Sequence, residues 1–127
     1  MNLDLVNSLV LAYLGDSIYE LLIREHFINQ GINKVNNLQK IVTKYVCASS
    51  QAKFINYFLD NDLLKEDEIT IVKRGRNAKV SSHPKNIDIL TYKWATALEC
   101  LFGYLYLKND NERMKELINI ILKEQLW

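Results

Sequence analysis

One proline and four glycines in 127 residues leave little from which to build the many tight turns of an all-β protein. No Pro- or Ser-rich linker, internal repeat or low-complexity tract interrupts the chain. A single domain over residues 1–127, large enough to bury a substantial core, is therefore expected. Long hydrophobic runs are also missing. The longest, ATALECLFGYLYL from Ala95 to Leu107, contains Glu99 and falls short of the ~20 apolar residues of a membrane span. The N-terminal MNLDLVN places an acid where a secretion signal needs basic residues. The two cysteines, Cys47 and Cys100, lack CxxC spacing and read as small buried hydrophobes of a reducing, cytoplasmic protein. His26 and His83 form no metal-ligand pair, no Gly-rich loop is present to cradle a phosphate, and no Ser or Cys sits in a nucleophile elbow.

What the chain does have is helical periodicity. Hydrophobic residues make up 49% and charged residues 24%, the balance of a soluble globular protein. Apolar spacing of three and four runs from Leu5 to Ile28, with Gln30-Gly31 closing the segment. Asn33 or Asn36 is positioned to cap a second helix carrying Val35, Leu38, Ile41, Val42 and Tyr45. Ser49 or Ser50 would open a third with Phe54, Tyr57, Phe58 and Leu59. The acids of Lys65-Glu66-Asp67-Glu68 suit the first turn of a fourth, reaching about Asn77. KVSSHPKN breaks the pattern, which returns from Ile87 to Leu107, and a last amphipathic helix follows Asn109-Asp110-Asn111. The fold class is all-α, with six or seven helices.

Two acids disturb the apolar helices. Asp16 lies in AYLGDSIYE, within a stripe set by Leu9, Ala12, Tyr13, Ile18, Tyr19, Leu22 and Ile23. Glu99 has Ala95, Thr96, Phe102 and Gly103 as its helical neighbours and no cation on its own helix. A buried, unpaired carboxylate costs several kcal/mol, so such a group needs a cation, a hydrogen-bond network or a raised pKa. A plainer arrangement is also open. Gly15 could end one helix and S17-x-x-E20 could cap the next, leaving Asp16 in an exposed connection, while Glu99 could face solvent. Gly15 and Gly103 favour the first arrangement if they let two helices cross closely, because glycine inside a helix costs ~1 kcal/mol against alanine. Asp16 and Glu99 would then face one another. Two carboxylates with open positions suit Mg²⁺, which keeps waters and takes few protein oxygens.

The net charge of +1 hides a division. Lys73 to Lys93 contains six Lys/Arg and one Asp, leaving ten Lys/Arg against fourteen Asp/Glu elsewhere. Concentrated basic charge indicates a polyanionic partner. Lys73, Arg74, Arg76, Lys79 and Lys85 are the candidate contacts, with Lys93 just beyond, and Asn77, Ser81 and Ser82 are neutral candidates. A hard-cation site beside a phosphate-binding surface points to phosphodiester chemistry.

With these residues in view, LAYLGDSIYE resembles the signature helix of ribonuclease III catalytic domains, and ATALECLFGYLYL resembles the later helix bearing their second acidic cluster. The succession RGRNAK, PKN and YKWATALE is similar to Mini-III ribonucleases, catalytic domains without an appended double-stranded-RNA-binding domain. The match spans about Leu9 to Leu107. It implies an all-helical homodimer that cuts both strands of double-stranded RNA with Mg²⁺, leaving 5′-phosphate and 3′-hydroxyl ends, and that matures precursor 23S ribosomal RNA. By position, Asp16 becomes the main catalytic and metal-binding carboxylate and Glu99 its partner, on a helix continuous through Gly15. The wider family carries further acids where this chain has Ala12 and Thr96, so the site is carboxylate-poor and the number of ions it holds stays open. Glu20 is a weaker candidate for an acceptor beyond the metal ligands.

The rival reading is a non-catalytic RNA-binding or ribosome-assembly protein, supported by Ala12 and Thr96. A purely structural helical dimer is a second. An accessory ribosomal protein remains a possible partner that the sequence does not name. Apolar residues near Tyr13, Tyr19, Phe102, Tyr104 and Tyr106 exceed what a small domain easily buries alone, consistent with a dimer.

Overall fold

Asn7 decides where the first long helix begins. Its side-chain oxygen accepts from the Leu9 N–H at 2.8 Å, so α1 runs Ser8–Asn29 rather than starting at Leu5. Leu3–Leu5 forms a separate single turn of 3-10 helix. The structure is a computed structural model describing residues 1–127. Five more helices follow: α2 Val35–Val46, α3 Ala48–Asp60, α4 Glu66–Asn77, α5 Ile89–Leu107 and α6 Asn111–Glu124. There is no strand, and none of the helices is long and apolar enough to cross a membrane.

Several boundaries depart from the expected caps. Lys34, not an asparagine, precedes α2 and makes no side-chain cap. Cys47 precedes α3, and the serines expected to open it sit within its first turn, where Ser50 donates to Lys44 O at 2.6 Å. Asp88 caps α5 by accepting from the Thr91 N–H at 3.0 Å, and Asp110 caps α6 through the Arg113 N–H at 3.2 Å. In α4 the acids do more than face the helix dipole. Glu68 is buried, accepts from the Lys65 N–H at 2.9 Å, and takes a two-pronged ion pair from Arg113 at 2.8 and 2.9 Å, tying α4 to α6.

Helix α5 is the central element, with α1, α3 and α4 packed along it and α6 against its far end. Its residues from Ala95 to Leu105 are buried except Glu99, so almost every face of the helix meets protein. Tyr19, Phe54, Phe58, Phe102 and Ile23 fill the core. Tyr19 and Phe102, expected to add to an exposed apolar excess, instead pack together with ring centroids 5.2 Å apart. The Tyr19 hydroxyl finds its acceptor at Tyr45 O, 2.7 Å away, which makes full burial affordable for a phenol. Tyr104 is buried too and donates to Asp67 at 2.7 Å; Tyr13 and Tyr106 stay exposed. Cys100 is buried and donates to Ser8 O at 3.0 Å, whereas Cys47 is only half-buried.

Three glycines fix how closely α5 is approached. A Cβ on Gly15 would lie 1.6 Å from Glu99 O, and one on Gly103 would lie 2.1 Å from Leu11 O. At that crossing only hydrogen fits. A Cβ on Gly75 would stand 2.7 Å from Cys100 Sγ, which brings α4 onto the neighbouring face of α5. Helix α1 is unbroken through Gly15, so the S17-x-x-E20 capping box does not form.

Candidate active site

The close crossing of α1 and α5 dictates the site. Asp16 follows Gly15 on one helix, and the backbone that Gly15 touches on the other belongs to Glu99. The two carboxyl groups are brought close enough for the Asp16 charge to act on Glu99. They line one open cleft of about 380 Å³ with Leu9, Ala12 and Tyr13 of α1, Tyr92 and Thr96 of α5, and Val80, Ser81 and Ser82 of the connecting loop. On each helix the lining residues recur at spacings of three or four, as one face must.

Burial differs from the expectation for both acids. Asp16 is exposed at the rim although its neighbour Gly15 is buried, and Glu99 is only partly buried at the base. The need for a compensating cation therefore falls on Glu99. Desolvation first, and the Asp16 carboxylate second, push Glu99 up from 4.5 to about 8, with the Gln51 amide acting in the opposite direction. Near neutral pH the carboxyl holds its proton unless a cation takes its place.

Ala12 and Thr96 line this same cleft, so further acids at those positions would have faced the pair. Both are buried, and the Thr96 hydroxyl is already used, donating back to Tyr92 O at 2.9 Å. No third His, Cys, Asp or Glu joins Asp16 and Glu99 in a metal-binding cluster. The donor set suits a hard, oxygen-seeking divalent cation that retains most of its water. Glu20 does not enter the cleft. It forms an ion pair with Arg24 and lines a separate depression on the α1 surface with Asp16, Ser17 and Leu21.

The basic residues divide into groups. Lys73, Arg74 and Lys79 line a larger cleft of about 710 Å³ with Asn7, Ser8, Thr70 and Asn77. Leu9 forms a wall of both clefts, so the basic and acidic surfaces are continuous. Arg74 is anchored by donating to Val6 O at 3.0 Å, and Lys73 and Lys79 are exposed. Arg76 stands apart. Its guanidinium lies 5.1 Å from the Trp94 ring and its Nε donates to Asn77 Oδ1 at 3.1 Å, and it lines neither cleft. Lys85 sits in an exposed turn, also outside both. Ser81 and Ser82 face the acids rather than the basic cleft.

Two residues near the acids, Tyr92 in the cleft and Gln51 behind it, escape the sequence reading. Tyr92 precedes Thr96 and Glu99 by four and seven positions, a helical phase that would have identified it. Gln51 is 3% exposed on α3 beside Phe54, Ile55 and Phe58, and a polar residue in an apolar stripe was its signal.

Comparison with known proteins gives the same neighbourhood throughout. The family model described as the Ribonuclease III domain matches residues 9–110. A Mini-ribonuclease 3 of Enterococcus faecalis is 44% identical over 94% of this chain and 90% of its own. One from Desulfitobacterium hafniense is 49% identical over 86% of this chain and 68% of its own. The crystal structure of a Fusobacterium nucleatum protein superposes with a TM-score of 0.82 at 36% identity, covering 92% of this chain and 93% of that one.

Proposed function

Because this chain belongs to the ribonuclease III domain family, within its Mini-ribonuclease 3 branch, and is an endoribonuclease, we propose that it cuts double-stranded RNA with Mg²⁺ held by Asp16 and Glu99. The observation that carries the proposal is the continuity of two surfaces. A carboxylate pair with a strong appetite for a cation opens directly, past Leu9, onto a cleft of positive charge.

In this reading Lys73, Arg74 and Lys79 hold phosphates of the duplex, whose A-form groove hides base edges from side chains. Arg74, fixed to Val6 O, presents its charge from a set position, while Lys73 and Lys79 adapt. Arg76 and Lys85 lie farther out along the same basic segment and contact a more distant part of the backbone. The loop residues Ser81 and Ser82 stand where the scissile strand would pass the acids. Glu99, protonated alone near neutral pH, exchanges that proton for the cation when it binds. Asp16 and Glu99 would hold the Mg²⁺, whose chemistry there would be acidification of a water and charge neutralisation at the phosphate, consistent with 5′-phosphate ends. Ala12 and Thr96, one turn before the acids on α1 and α5, leave those positions to water rather than to protein ligands.

One such site serves one strand, and a two-fold homodimer matches the opposed polarity of a duplex. An apolar row on α1 supports this assembly. Val10 is 56% exposed, Tyr13 84%, Leu21 55% and Ile28 55%, with Val35 of α2 at 77% beside its end. A single domain covering the whole chain, acting in the cytoplasm on the ends of precursor 23S ribosomal RNA, completes the proposal, as the resemblance to Mini-III ribonucleases implies. Purified protein should cleave duplex RNA with Mg²⁺, leave it intact in EDTA, and spare single-stranded RNA of the same sequence. Duplex bound but uncut in Mg²⁺ would leave a binding protein instead.

A further inference from the structure

Leu9 stands where the two clefts meet and is the one residue that lines both. Its side chain is 42% exposed, although every other residue around the basic cleft except Ala78 is polar or charged. The backbone beneath it is pinned from three sides. Asn7 accepts from the Leu9 N–H at 2.8 Å, Arg74 of α4 donates to Val6 O at 3.0 Å, and Cys100 of α5 donates to Ser8 O at 3.0 Å. The helix that bears Arg74 and the helix that bears Glu99 therefore both grip residues 6–9, and Leu9 keeps a set position between cations and acids. It is not an extension of the apolar row read as the dimer face. Val10, Leu21 and Ile28 stand roughly 100° or more round α1 from it and line neither cleft. A leucine at such a junction offers neither charge nor hydrogen bond. What it offers is volume.

We infer that Leu9 is a substrate-positioning residue, a rigid ridge over which the RNA strand passes so that a phosphate, and not a ribose, comes to rest against Asp16 and Glu99. The inference rests on the duplex-cleavage reading of the two clefts and extends it from where RNA is held to how it is aligned. Cations hold a phosphate backbone without fixing its phase, which is why basic surfaces let nucleic acid slide. Lys73, Arg74 and Lys79 alone would leave the strand free to rest with either group facing the acids. A ridge between the clefts removes that freedom. The strand crosses it by laying a ribose over the leucine, with one phosphate on the basic side and the next on the acidic side. Riboses line the wide, shallow minor groove of A-form RNA, where such a contact is open to them. The ridge touches no base edge, so it aligns every sequence alike. Its contribution falls on the rate of the cut, because reaction depends steeply on how the reacting atoms are placed.

The test compares Leu9→Ala, which removes the ridge, with Leu9→Met, which keeps its bulk and apolar character. Three quantities are measured on each chain: duplex affinity in Ca²⁺, Mn²⁺ affinity without RNA, and the single-turnover rate of duplex cleavage in Mg²⁺. Leu9→Ala should cut about 10- to 100-fold more slowly, with both affinities held within about 3-fold of wild type. Leu9→Met should restore most of the rate. Cleavage by Leu9→Ala at the wild-type rate would overturn the inference. So would a loss of duplex affinity as large as the loss of rate, which would make Leu9 an anchor and not an aligner. A parallel loss of Mn²⁺ affinity would show that it acts by shaping the acid pair, and a Leu9→Met chain as slow as Leu9→Ala would remove the argument from volume. If Leu9→Ala does not fold, Leu9→Val decides, with a smaller slowing expected at unchanged affinities and a wild-type rate counting against the ridge. The two levels of the argument separate on the wild type itself. Wild type that leaves duplex RNA uncut in Mg²⁺ ends the cleavage reading and the role of Leu9 with it, whereas wild type that cuts beside an equally fast Leu9→Ala leaves only Leu9 wrongly assigned.

Discussion

Replacing Glu99 with Gln should make the metal-free protein more stable, and increasingly so as pH rises. In the folded chain Glu99 keeps its proton to about pH 8, and in the unfolded chain it releases it near 4.5. Between these values the folded state holds more protons than the unfolded state. Unfolding free energy therefore declines as pH rises through that interval and levels off above it. Integrating the linkage from pH 5 to pH 9 gives a loss of about 4 kcal/mol from this one group, a large part of the ~5–15 kcal/mol a domain has. Gln has nearly the shape of the protonated acid and cannot ionise. Wild type and Glu99→Gln should thus match within about 1 kcal/mol at pH 5 and separate by about 4 kcal/mol at pH 9.

Urea denaturation in EDTA at intervals of pH, read by circular dichroism, measures this difference directly. Taking the difference between two chains removes the titration of Asp67, Asp88 and every other group they share. Asp16→Asn supplies an internal check, since the Asp16 charge is the second cause of the shift, and its stability should fall less steeply with pH than that of wild type. Saturating Mg²⁺ should reverse the order at high pH, because the ion binds the folded wild type and not the variant. A stability difference independent of pH in EDTA would show that Glu99 ionises normally, and the argument that the pair craves a cation would fall.

Other consequences follow from the crossing and the clefts. Gly15→Ala places a methyl group 1.6 Å from Glu99 O, so α1 and α5 must separate, with a loss of about 3 kcal/mol or more in denaturant titration. Near-wild-type stability would mean the helices do not meet as described. Replacing Lys73 and Lys79 with Ala should weaken binding to every duplex in Ca²⁺ and flatten the log affinity against log salt plot by about one to two, at ~0.7–0.9 per phosphate contact. Arg76→Ala, facing Trp94 instead, should change that slope less, and an equal effect would place the RNA across both faces of α4. Mixed dimers of one wild-type and one Asp16→Asn chain should nick one strand only. Cleavage of both strands in a single binding event would show that one site serves two.

How much of this was readable in advance depends on the distance over which each feature is determined. The pairing of Asp16 with Glu99 was legible because each acid lies next to, or within one turn of, a glycine on its own helix, and two glycines of that kind announce where helices touch. The separation of Arg74 from Arg76 was legible too, yet was passed over by treating Lys73 to Lys85 as one basic segment. Helix α4 extends through Asn77, so Thr70, Lys73, Arg74 and Asn77 share a face and Arg76 must point elsewhere. Exposure was not legible. Whether Tyr19 or Tyr13 enters the core depends on which flank of α1 meets α5, and both tyrosines sit in similar apolar surroundings along the chain. The same holds for Asp16, which shares the apolar stretch yet stands exposed at the rim. Gln51 lies furthest beyond reach. Its polarity within the apolar stripe of α3 marks it in the sequence, but its unpartnered oxygen and its nearness to a carboxyl group 48 positions away arise only from the packing of α3 on α5. Sequence pattern thus discloses the charged members of the cleft, while the burial that sets the need of Glu99 for a counter-charge emerges only from the folded chain.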